Sequence, residues 1–288
     1  MSVPARVGVL GGGRMGGGIA HAFLLAGAQV VVVDRPEVLD RARDGIRVSV
    51  DRSLERHGAS RPRDELLGAL EVVADRRALA DRELVIEAVP ELPELKAEAL
   101  GGVEALLAPD AVLASNTSSL SIDGLATGLR RPQRFLGLHF FNPVPASSLV
   151  EVVRGAATEP SIVAAAQSWV RELGKAPVTV ADAPGFASSR LGVALALEAI
   201  RMLEAGVASA DDIDAAMTLG YRHQTGPLRT TDIVGLDVRL DIAEHLAAEL
   251  GDRFEPPALL RRMVAEGRLG RKSGAGFFDW PDPEKGAR

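Results

Sequence analysis

The stretch VGVLGGGRMGGGIA, from Val7 to Ala20, decides the fold of this chain. Its first four residues form an apolar run that is typical of a short strand, and its last residues begin a helical pattern. Between them, Gly11, Gly13 and Gly16 form the sequence G-x-G-x-x-G. This pattern is weak alone, but between a strand and a helix it is typical of the turn that binds the pyrophosphate of a dinucleotide.

Each of the three glycines has a separate role in such a turn. Gly11 would permit the tight turn, Gly13 would let the backbone approach the pyrophosphate, and Gly16 would let the helix pack closely on the strand. The phosphates would then lie at the helix N-terminus, where backbone N–H groups point outward. The alternative is a glycine-rich turn in an unrelated α/β domain.

A second strand-like run, Val30 to Val33, ends in a carboxylate, Asp34, which lies 18 residues after Gly16. A carboxylate at about this distance typically binds the ribose hydroxyls of the adenosine, and it repels the 2′-phosphate of NADP. The sequence therefore predicts a dinucleotide site that prefers NAD to NADP, although the basic Arg35 follows directly.

Short apolar runs continue to alternate with helical patterns as far as residue 182. The runs lie at Leu84–Val89, Ala111–Ser115, Phe135–Phe141, Leu149–Val153 and Val178–Val180. This alternation predicts an α/β fold with a doubly wound, mostly parallel sheet of the Rossmann type. Helical patterns include Arg63–Leu70 and, after residue 182, Ile233–Leu250. We expect an NAD-binding domain over residues 1–182 and an all-helical C-terminal domain over residues 183–288.

Composition and charge exclude several classes of protein. The chain has 288 residues, a net charge of −6 and no cysteine. The negative charge disfavours a nucleic-acid partner, and the lack of thiols excludes disulfides and thiolate metal sites, so no metal is predicted. The sequence has no signal-peptide pattern and no apolar run long enough to cross a bilayer. We therefore expect a cytoplasmic protein without a membrane partner.

A second informative stretch, HFFNPVPASSLVE, runs from His139 to Glu151. His139 ends a strand-like run, which is where open α/β sheets bind their ligands. A neutral imidazole there is a suitable general base for a hydroxyl proton, and a nearby carboxylate would orient it. A turn carrying Pro143 and Pro145 could bring Glu151 alongside; the alternative is a solvated strand residue. A structural role is the simpler interpretation for the histidines in helical or charged segments, namely His21, His57 and His245.

Hydroxyl and amide side chains follow another strand-like run, in the sequence Ser115–Ser119. Such a cluster often only caps a helix, but its place at a strand end also suits a ligand site. We predict that the strand ends carrying Asp34, Ser118 and His139 meet in one crevice.

With these motifs in place, the chain resembles the L-3-hydroxyacyl-CoA dehydrogenase family, most of all its short bacterial members, the 3-hydroxybutyryl-CoA dehydrogenases. The resemblance covers nearly the whole chain. Its motifs are GGGRMGGGIA, SNTSSLSI, GLHFFNPVP followed by LVEVV, DAPGF, ASADDIDAAM, TGPLRTTDIVGLD and GRKSGAGFF. HFFNP with LVE, in order after SNTSS, is far more specific than the glycine pattern.

The resemblance implies NAD as the cofactor, an acyl-CoA substrate, and a homodimer through the helical C-terminal domain, which would also close over the acyl chain. It implies that the catalytic residues are His139 as general base, Glu151 as its partner, and Ser118, Asn142 and Ser189. It implies cofactor contacts at Gly11, Gly13, Arg14, Met15, Gly16, Asp34, Glu91, Lys96, Asn116, Ser118, Asn142 and Lys272. It implies substrate contacts at Ser49, Arg56 and Ser118, although a basic residue such as Arg56 could simply be solvated.

The chain departs from the family pattern at four places. Ser189 stands where asparagine is usual, and Leu92 stands where asparagine usually follows Glu91. The segment 224–227, Gln-Thr-Gly-Pro, replaces Pro-Met-Gly-Pro, and the segment 146–148, Ala-Ser-Ser, replaces one that usually contains methionine. These changes concern the choice of acyl chain more than the type of reaction.

The sequence is compatible with three functions. The leading hypothesis is reversible NAD-dependent oxidation of a short-chain (3S)-3-hydroxyacyl-CoA to the 3-oxoacyl-CoA. The second keeps the chemistry but changes the carrier to an acyl-carrier-protein thioester or a free 3-hydroxy acid; Ser49 and Arg56 argue against the free acid. The third is a catalytically silent NAD-binding protein, for which Ser189 is the only support.

Overall fold

The chain divides into two compact units, Met1–Ala183 and Pro184–Arg288. The computed structural model describes residues 2–57 and 61–280, and the side chain of His57 lies outside the described part. Each unit has a hydrophobic core of its own. Within the described residues, no helix is long and apolar enough to cross a membrane.

The first unit is built on a single eight-stranded sheet. Its strands are β1 Arg6–Leu10, β2 Gln29–Val33, β3 Leu70–Val73, β4 Leu84–Glu87, β5 Val112–Ser115, β6 Phe135–Phe140, β7 Leu149–Arg154 and β8 Ala176–Ala181. The spatial order is β3-β2-β1-β4-β5-β6-β7-β8. Strands β1 to β6 pair in parallel, β7 is antiparallel to β6, and β8 is parallel to β7. This confirms the predicted doubly wound, mostly parallel sheet.

The strand order reverses between β1 and β4. From β1 the chain winds outward through β2 and β3 on one side, and through β4, β5 and β6 on the other. The central strands are continuous apolar runs, as at Val30–Val33, because elements on both faces of a parallel sheet bury them. Asp34 and Ser118 follow the carboxyl ends of β2 and β5, and His139 lies near that of β6, which is the edge where open α/β sheets bind ligands.

The helices of the first unit lie between the strands. They are α1 Arg14–Leu25, α2 Leu39–His57, α3 Arg63–Gly68, α4 Pro93–Glu104, α5 Ile122–Ala126 and α6 Pro160–Glu172. The helix predicted over Arg63–Leu70 was wrong at its end, because α3 stops at Gly68 and Leu70 begins the edge strand β3. That strand has only four residues, too few for a strand pattern to stand out beside the helical one.

The described part of the second unit contains five helices. They are α7 Ser188–Glu204, α8 Ala210–Gly220, α9 Pro227–Val234, α10 Leu236–Leu250 and α11 Ala258–Ala265. The single helix predicted over Ile233–Leu250 was wrong, because Gly235 adopts φ 110° and separates α9 from α10. A φ in this region is accessible to glycine and strained for other residues.

Buried Asp232, in α9, binds the segment from Phe277 to Trp280, near the end of the described part of the second unit. Its carboxylate accepts hydrogen bonds from the backbone N–H groups of Phe277 and Phe278, both at 2.9 Å, and from the indole N–H of Trp280 at 2.8 Å. Hydrogen bonds to a charged acceptor are among the stronger ones, so Asp232 fixes the segment from Phe277 to Trp280.

Candidate active site

The glycine turn after β1 contains two kinds of glycine. A Cβ at Gly11 would lie 2.7 Å from the carbonyl oxygen of Ala88, and a Cβ at Gly16 would lie 1.7 Å from that of Gly11. The fold itself therefore requires both glycines. At Gly13 no such neighbour lies within 4 Å, so a side chain there would project into open space.

The open position at Gly13 lies at the N-terminus of α1. Gly13 is the N-cap of this helix, and no side chain caps its first N–H groups. A glycine that packing does not require, in front of unpaired N–H donors, fits the close approach of a pyrophosphate. Arg14 is exposed beside it, whereas Met15 packs on the core of the first unit.

Asp34 follows the end of β2 and is bound to the same turn. Its Oδ2 accepts a hydrogen bond from the N–H of Gly12 at 2.6 Å, and its Oδ1 accepts one from the N–H of Arg35 at 2.7 Å. A carboxylate offers about four lone-pair sites, so Asp34 retains acceptor capacity for ribose hydroxyls. The turn and the carboxylate therefore fit NAD.

His139 and Glu151 face each other across the antiparallel strands β6 and β7. They are register partners, and His139 Nδ1 lies 2.8 Å from Glu151 Oε2. Both side chains are buried, and the ring of His139 also packs against Phe141, with 4.4 Å between ring centroids. The structure thus brings together the pair that the sequence suggested, and the solvated alternative for Glu151 was wrong.

Asn116 joins the ends of three neighbouring strands. Its backbone N–H donates to the carbonyl of Glu87 in β4, and its Oδ1 accepts a hydrogen bond from the N–H of Phe140 in β6 at 2.8 Å. Because Oδ1 is used in this way, the amide NH₂ is the group that Asn116 can offer to a cofactor. The predicted cofactor contact at Asn116 stays a prediction.

Lys96, in α4, is only 1% exposed and binds three oxygens around the end of β4. Its Nζ lies 2.7 Å from Glu87 Oε1, 3.1 Å from the carbonyl oxygen of Val89 and 3.2 Å from Glu91 Oε2. Ser115 donates to the other oxygen of Glu87 at 2.6 Å. An ammonium has three N–H donors, so this protein cluster can satisfy Lys96 completely.

Glu91 extends the cluster to the loop that follows β5. Its Oε1 accepts hydrogen bonds from the Thr117 hydroxyl at 2.5 Å, from the Ser118 N–H at 2.8 Å and from the Ser119 N–H at 3.1 Å. Burial acts to raise the pKa of Glu91, but the charge of Lys96 and these hydrogen bonds outweigh it and lower the pKa. Glu91 therefore holds the backbone of Ser118 in place as a carboxylate.

Sequence reasoning missed Glu87, the carboxylate on which this cluster depends. Glu87 ends the apolar run of β4 and is fully buried, and its Oε1 also accepts a hydrogen bond from the N–H of Val89. A charged residue closing a buried parallel strand was the available signal, because such a residue needs a buried partner.

The other predicted residues of the first unit lie outside this cluster. Asn142 is exposed in the loop between β6 and β7. Ser49 is half-buried and Arg56 exposed, two turns apart on one face of α2, since residues at i and i+7 coincide on a helix. Lys175 supports the turn after Asn142, because its Nζ donates to the carbonyl of Val144 at 2.7 Å. The roles of Asn142, Ser49 and Arg56 stay predictions.

Two predicted residues belong to the second unit. Ser189 lies in the first turn of α7, and Lys272 forms an ion pair with Asp237, with both carboxylate oxygens 2.5 Å from Nζ. Their predicted contacts with substrate and cofactor stay predictions.

His21 has the structural place that its helical pattern indicated. It is buried in α1, and its Nε2 lies 2.9 Å from the Ser53 hydroxyl. Burial, and then the nearby charge of Lys175, lowers the pKa of His21 to about 4, so this ring is neutral at physiological pH. Within the described residues, no group of three or more acidic, histidine or cysteine side chains could hold a metal ion.

A Rossmann-type sheet with a glycine turn after β1, a carboxylate after β2 and a buried histidine–carboxylate pair is typical of an NAD-dependent dehydrogenase. The chain belongs to the 3-hydroxyacyl-CoA dehydrogenase family. Residues 6–183 match the NAD binding domain of that family, and residues 185–280 match its C-terminal domain. The predicted family and its cofactor, NAD, are thereby confirmed.

Similar proteins match this chain over nearly its whole length. The chain is 44% identical over 280 residues to the 3-hydroxybutyryl-CoA dehydrogenase of Mycobacterium tuberculosis, covering 96% of this chain and 98% of that protein. It is 41% identical to a probable 3-hydroxybutyryl-CoA dehydrogenase of Deinococcus radiodurans, with 96% and 100% covered. The crystal structure of (S)-3-hydroxybutyryl-CoA dehydrogenase PaaH1 from Ralstonia eutropha superposes with a TM-score of 0.92 at 37% identity, covering 97% of this chain and 100% of that one.

Proposed function

We propose that this protein reversibly oxidises a short-chain (3S)-3-hydroxyacyl-CoA to the 3-oxoacyl-CoA with NAD, and that His139 is the general base. The 2.8 Å hydrogen bond between His139 Nδ1 and Glu151 Oε2 carries this proposal. It stands at the carboxyl edge of the sheet that also carries the pyrophosphate turn and Asp34. The names of the similar bacterial dehydrogenases support 3-hydroxybutyryl-CoA and acetoacetyl-CoA as the substrate pair.

The tautomer of His139 follows from its partner. An ionised carboxylate can only accept hydrogen bonds, so Nδ1 donates to Glu151 and the neutral ring carries its lone pair on Nε2. In the oxidation, Nε2 takes the proton of the C3 hydroxyl, and the negative charge of Glu151 stabilises the imidazolium that forms. NAD supplies the acceptor for the hydride that leaves C3. In the reverse direction the imidazolium returns its proton to the oxygen.

The remaining polar side chains of the proposal bind and orient the substrate. Ser118 and Asn142 would hold the hydroxyl or thioester oxygen and the nicotinamide, and Glu91 holds the backbone of Ser118 in position for this. Ser189 would donate or accept one hydrogen bond at the place where the family has asparagine. Its shorter side chain reaches less far, which bears on the choice of acyl chain.

The carrier of the acyl group is tested by comparing thioesters. We expect rapid NADH consumption with acetoacetyl-CoA, slower consumption with acetoacetyl bound to acyl carrier protein, and none with free acetoacetate. The Ser49 and Arg56 face of α2 supports a CoA carrier. Activity with the carrier-protein thioester or the free acid alone would contradict CoA recognition, and tight NADH binding without turnover of any substrate would favour the silent protein.

The choice of cofactor is measured in the same assay with NADPH. Because Asp34 would face a 2′-phosphate, we expect much lower kcat/KM with NADPH than with NADH. Equal values would contradict the role of Asp34. The matched variant Asp34→Asn removes the charge but keeps the size, and it should narrow the difference between the two cofactors.

We further propose a homodimer through the helical C-terminal unit. This unit carries large apolar side chains that the chain itself leaves more than 60% exposed, namely Leu191, Val207, Leu219 and Tyr221. Size-exclusion chromatography with light scattering should give twice the chain mass, and Leu219→Glu should lower it while Arg262→Glu, on an exposed polar position, should not. A monomeric wild type would contradict this proposal. The cytoplasmic location stays a prediction.

A further inference from the structure

Lys175, the residue before β8, is a cation that the proposed reaction does not use. Its Nζ donates hydrogen bonds to the backbone carbonyl oxygens of Val144, at 2.7 Å, and of Ser147. The side chain is half-buried. Burial lowers the pKa of Lys175, and among the described residues no carboxylate counteracts this by an ion pair. The partners that the fold gives to this charge are therefore two backbone carbonyls.

Both carbonyls lie in the loop that joins β6 to β7, residues 141–148 (the β6–β7 loop). The loop carries Asn142, which the proposed function places beside the nicotinamide. Directly after Asn142 the loop forms a turn, in which the N–H of Ser147 donates to the carbonyl of Pro143 at 3.1 Å. Lys175 therefore binds a turn that begins next to Asn142.

The β6–β7 loop also packs on α1, the helix that begins at the glycine turn. Val144 is only 2% exposed, and a Cβ built at Gly18 would lie 2.8 Å from the Cβ of Val144. In a close-packed interior, a side chain at position 18 would force Val144 to move, so Gly18 lets the loop approach α1. The loop is thus fixed from two sides, by Gly18 at the side chain of Val144 and by Lys175 at its carbonyl.

A charged donor is a strong means of holding a loop. Hydrogen bonds in which the donor is ionised are roughly twice as strong as those between neutral groups. Taking an ammonium group out of water is unfavourable, however, and here no opposite charge offsets that cost. Water or neutral backbone groups would be enough to pair the carbonyls of an ordinary surface loop. A half-buried lysine at this place indicates that the β6–β7 loop has to keep one conformation.

We propose that Lys175 is a positioning residue of the dehydrogenase: it holds the β6–β7 loop so that Asn142 keeps the orientation needed to bind the nicotinamide. The inference rests on the proposed function, because it needs Asn142 beside the nicotinamide. Lys175 acts through the loop and takes no part in the transfer of the proton or the hydride. A displacement of about 1 Å in a group that orients the reactants can cost about 100-fold in rate, so the effect is measurable.

The discriminating pair of ligands is NADH and ADP-ribose, which share the adenosine, the pyrophosphate and the second ribose and differ in the nicotinamide. In Lys175→Met, which removes the charge and the N–H donors, we expect the Kd of NADH to rise about fivefold or more, because loop contacts to the nicotinamide are weakened. The Kd of ADP-ribose should stay within about twofold, since the glycine turn and Asp34 remain. Isothermal titration calorimetry measures both constants.

Two matched variants sharpen this comparison. Lys175→Arg keeps the charge and the N–H donors, so it should restore most of the affinity for NADH. Arg171→Met, which removes an exposed cation in the last turn of α6, should bind both ligands as the wild type does. Unchanged NADH binding in Lys175→Met would overturn the proposal. Equal weakening of both ligands would overturn it too, because Lys175 would then support the whole domain and not the nicotinamide end of the site.

A double-mutant cycle measures whether Lys175 acts through Asn142. Lys175→Met and Asn142→Ala should each lower kcat/KM for acetoacetyl-CoA by about 10- to 100-fold. The double variant should be no slower than the slower single variant, because the second change removes nothing further. Losses that multiply would overturn the proposal, since Lys175 would then act independently of Asn142.

The experiment also decides the case in which Lys175→Met does not fold. Lys175→Gln, which keeps two N–H donors on a shorter and uncharged side chain, then takes its place and should weaken NADH more than ADP-ribose. Loss of folding in both variants would overturn the proposal, because the residue would serve the fold itself.

The proposal and the proposed function fail differently. If the wild type reduces acetoacetyl-CoA but Lys175→Met binds both ligands as the wild type does, only the role of Lys175 is wrong. If the wild type reduces no thioester, the proposed function is wrong, and the comparison of NADH with ADP-ribose still decides the role of Lys175 in cofactor binding.

Discussion

Glu87 and Glu151 are both fully buried carboxylates of the central sheet, and each is bound to one basic side chain. Glu87 holds Lys96, whose three N–H donors all have oxygen partners within the protein. Glu151 holds His139, whose neutral ring can accept a proton on Nε2. The two pairs are equally buried but have different roles. The Glu87–Lys96 pair stabilises the loop that follows β5, and the Glu151–His139 pair can transfer a proton.

The largest expected effect is on catalysis, from the His139→Gln variant. Glutamine can still accept and donate hydrogen bonds, but it cannot take the hydroxyl proton, and general-base catalysis is worth about 10²- to 10⁴-fold. We therefore expect kcat with (3S)-3-hydroxybutyryl-CoA to fall by about this factor, while NADH binding, followed by fluorescence, stays the same. A kcat within threefold of the wild type would show that the His139–Glu151 pair does not transfer the proton, and would contradict its distinction from the structural Lys96–Glu87 pair.

The next effect is on stability, from the Lys96→Met variant. Removing one partner of a buried ion pair leaves the other charge uncompensated, which typically costs about 3–5 kcal/mol in the free energy of unfolding. Denaturant melts should show this loss, and adding Glu87→Gln to the same chain should recover part of it.

The matched control for Lys96 is the surface pair of Arg6 and Glu83, whose side chains are both more than 40% exposed. Arg6→Met should cost at most about 1 kcal/mol, because exposed ion pairs contribute little. Equal losses for Lys96→Met and Arg6→Met would contradict a structural role for the buried cluster.

A smaller effect is the loss at low pH of the stability that Glu91 contributes. The pKa of Glu91 is lower in the folded protein than in the unfolded chain, where a glutamate titrates at about 4.3. Its contribution to stability is therefore fully present above that pH and is lost as the pH falls through the folded value. The difference in Tm between the wild type and Glu91→Gln should shrink on acidification below about pH 4. A difference that does not change with pH would show that the charge of Glu91 is not what holds the Ser118 loop.

The sequence predicted the His139–Glu151 pair but not the cluster around Glu87, for a physical reason. His139 and Glu151 belong to adjacent antiparallel strands joined by a short turn, so their pairing depends on local register. The partner of Glu87 comes from a helix, and whether Lys96 points inward depends on how α4 docks on the sheet.

The helix boundaries likewise divide into those that local sequence predicts and those that tertiary packing determines. The strands and helices with long, regular apolar patterns were predicted close to their positions, because periodicity reports which face is buried. The break at Gly235 was not, since a single glycine is compatible with a helix interior until tertiary structure requires φ 110°. Local pattern thus predicted the sheet and its functional edge, and tertiary contacts determined the rest.

The pH dependence of kcat/KM for oxidation of (3S)-3-hydroxybutyryl-CoA, in the wild type and in Glu151→Gln, tests most directly whether the buried pair is the general base. Glutamine keeps the size and can still accept the hydrogen bond from Nδ1, but it removes the charge that stabilises the imidazolium. We predict that the plateau of the profile falls about 10- to 100-fold in the variant, because the imidazolium that forms has lost its charged partner. Superimposable profiles with equal plateaus would contradict the assignment of His139 and Glu151 as the proton-transferring pair.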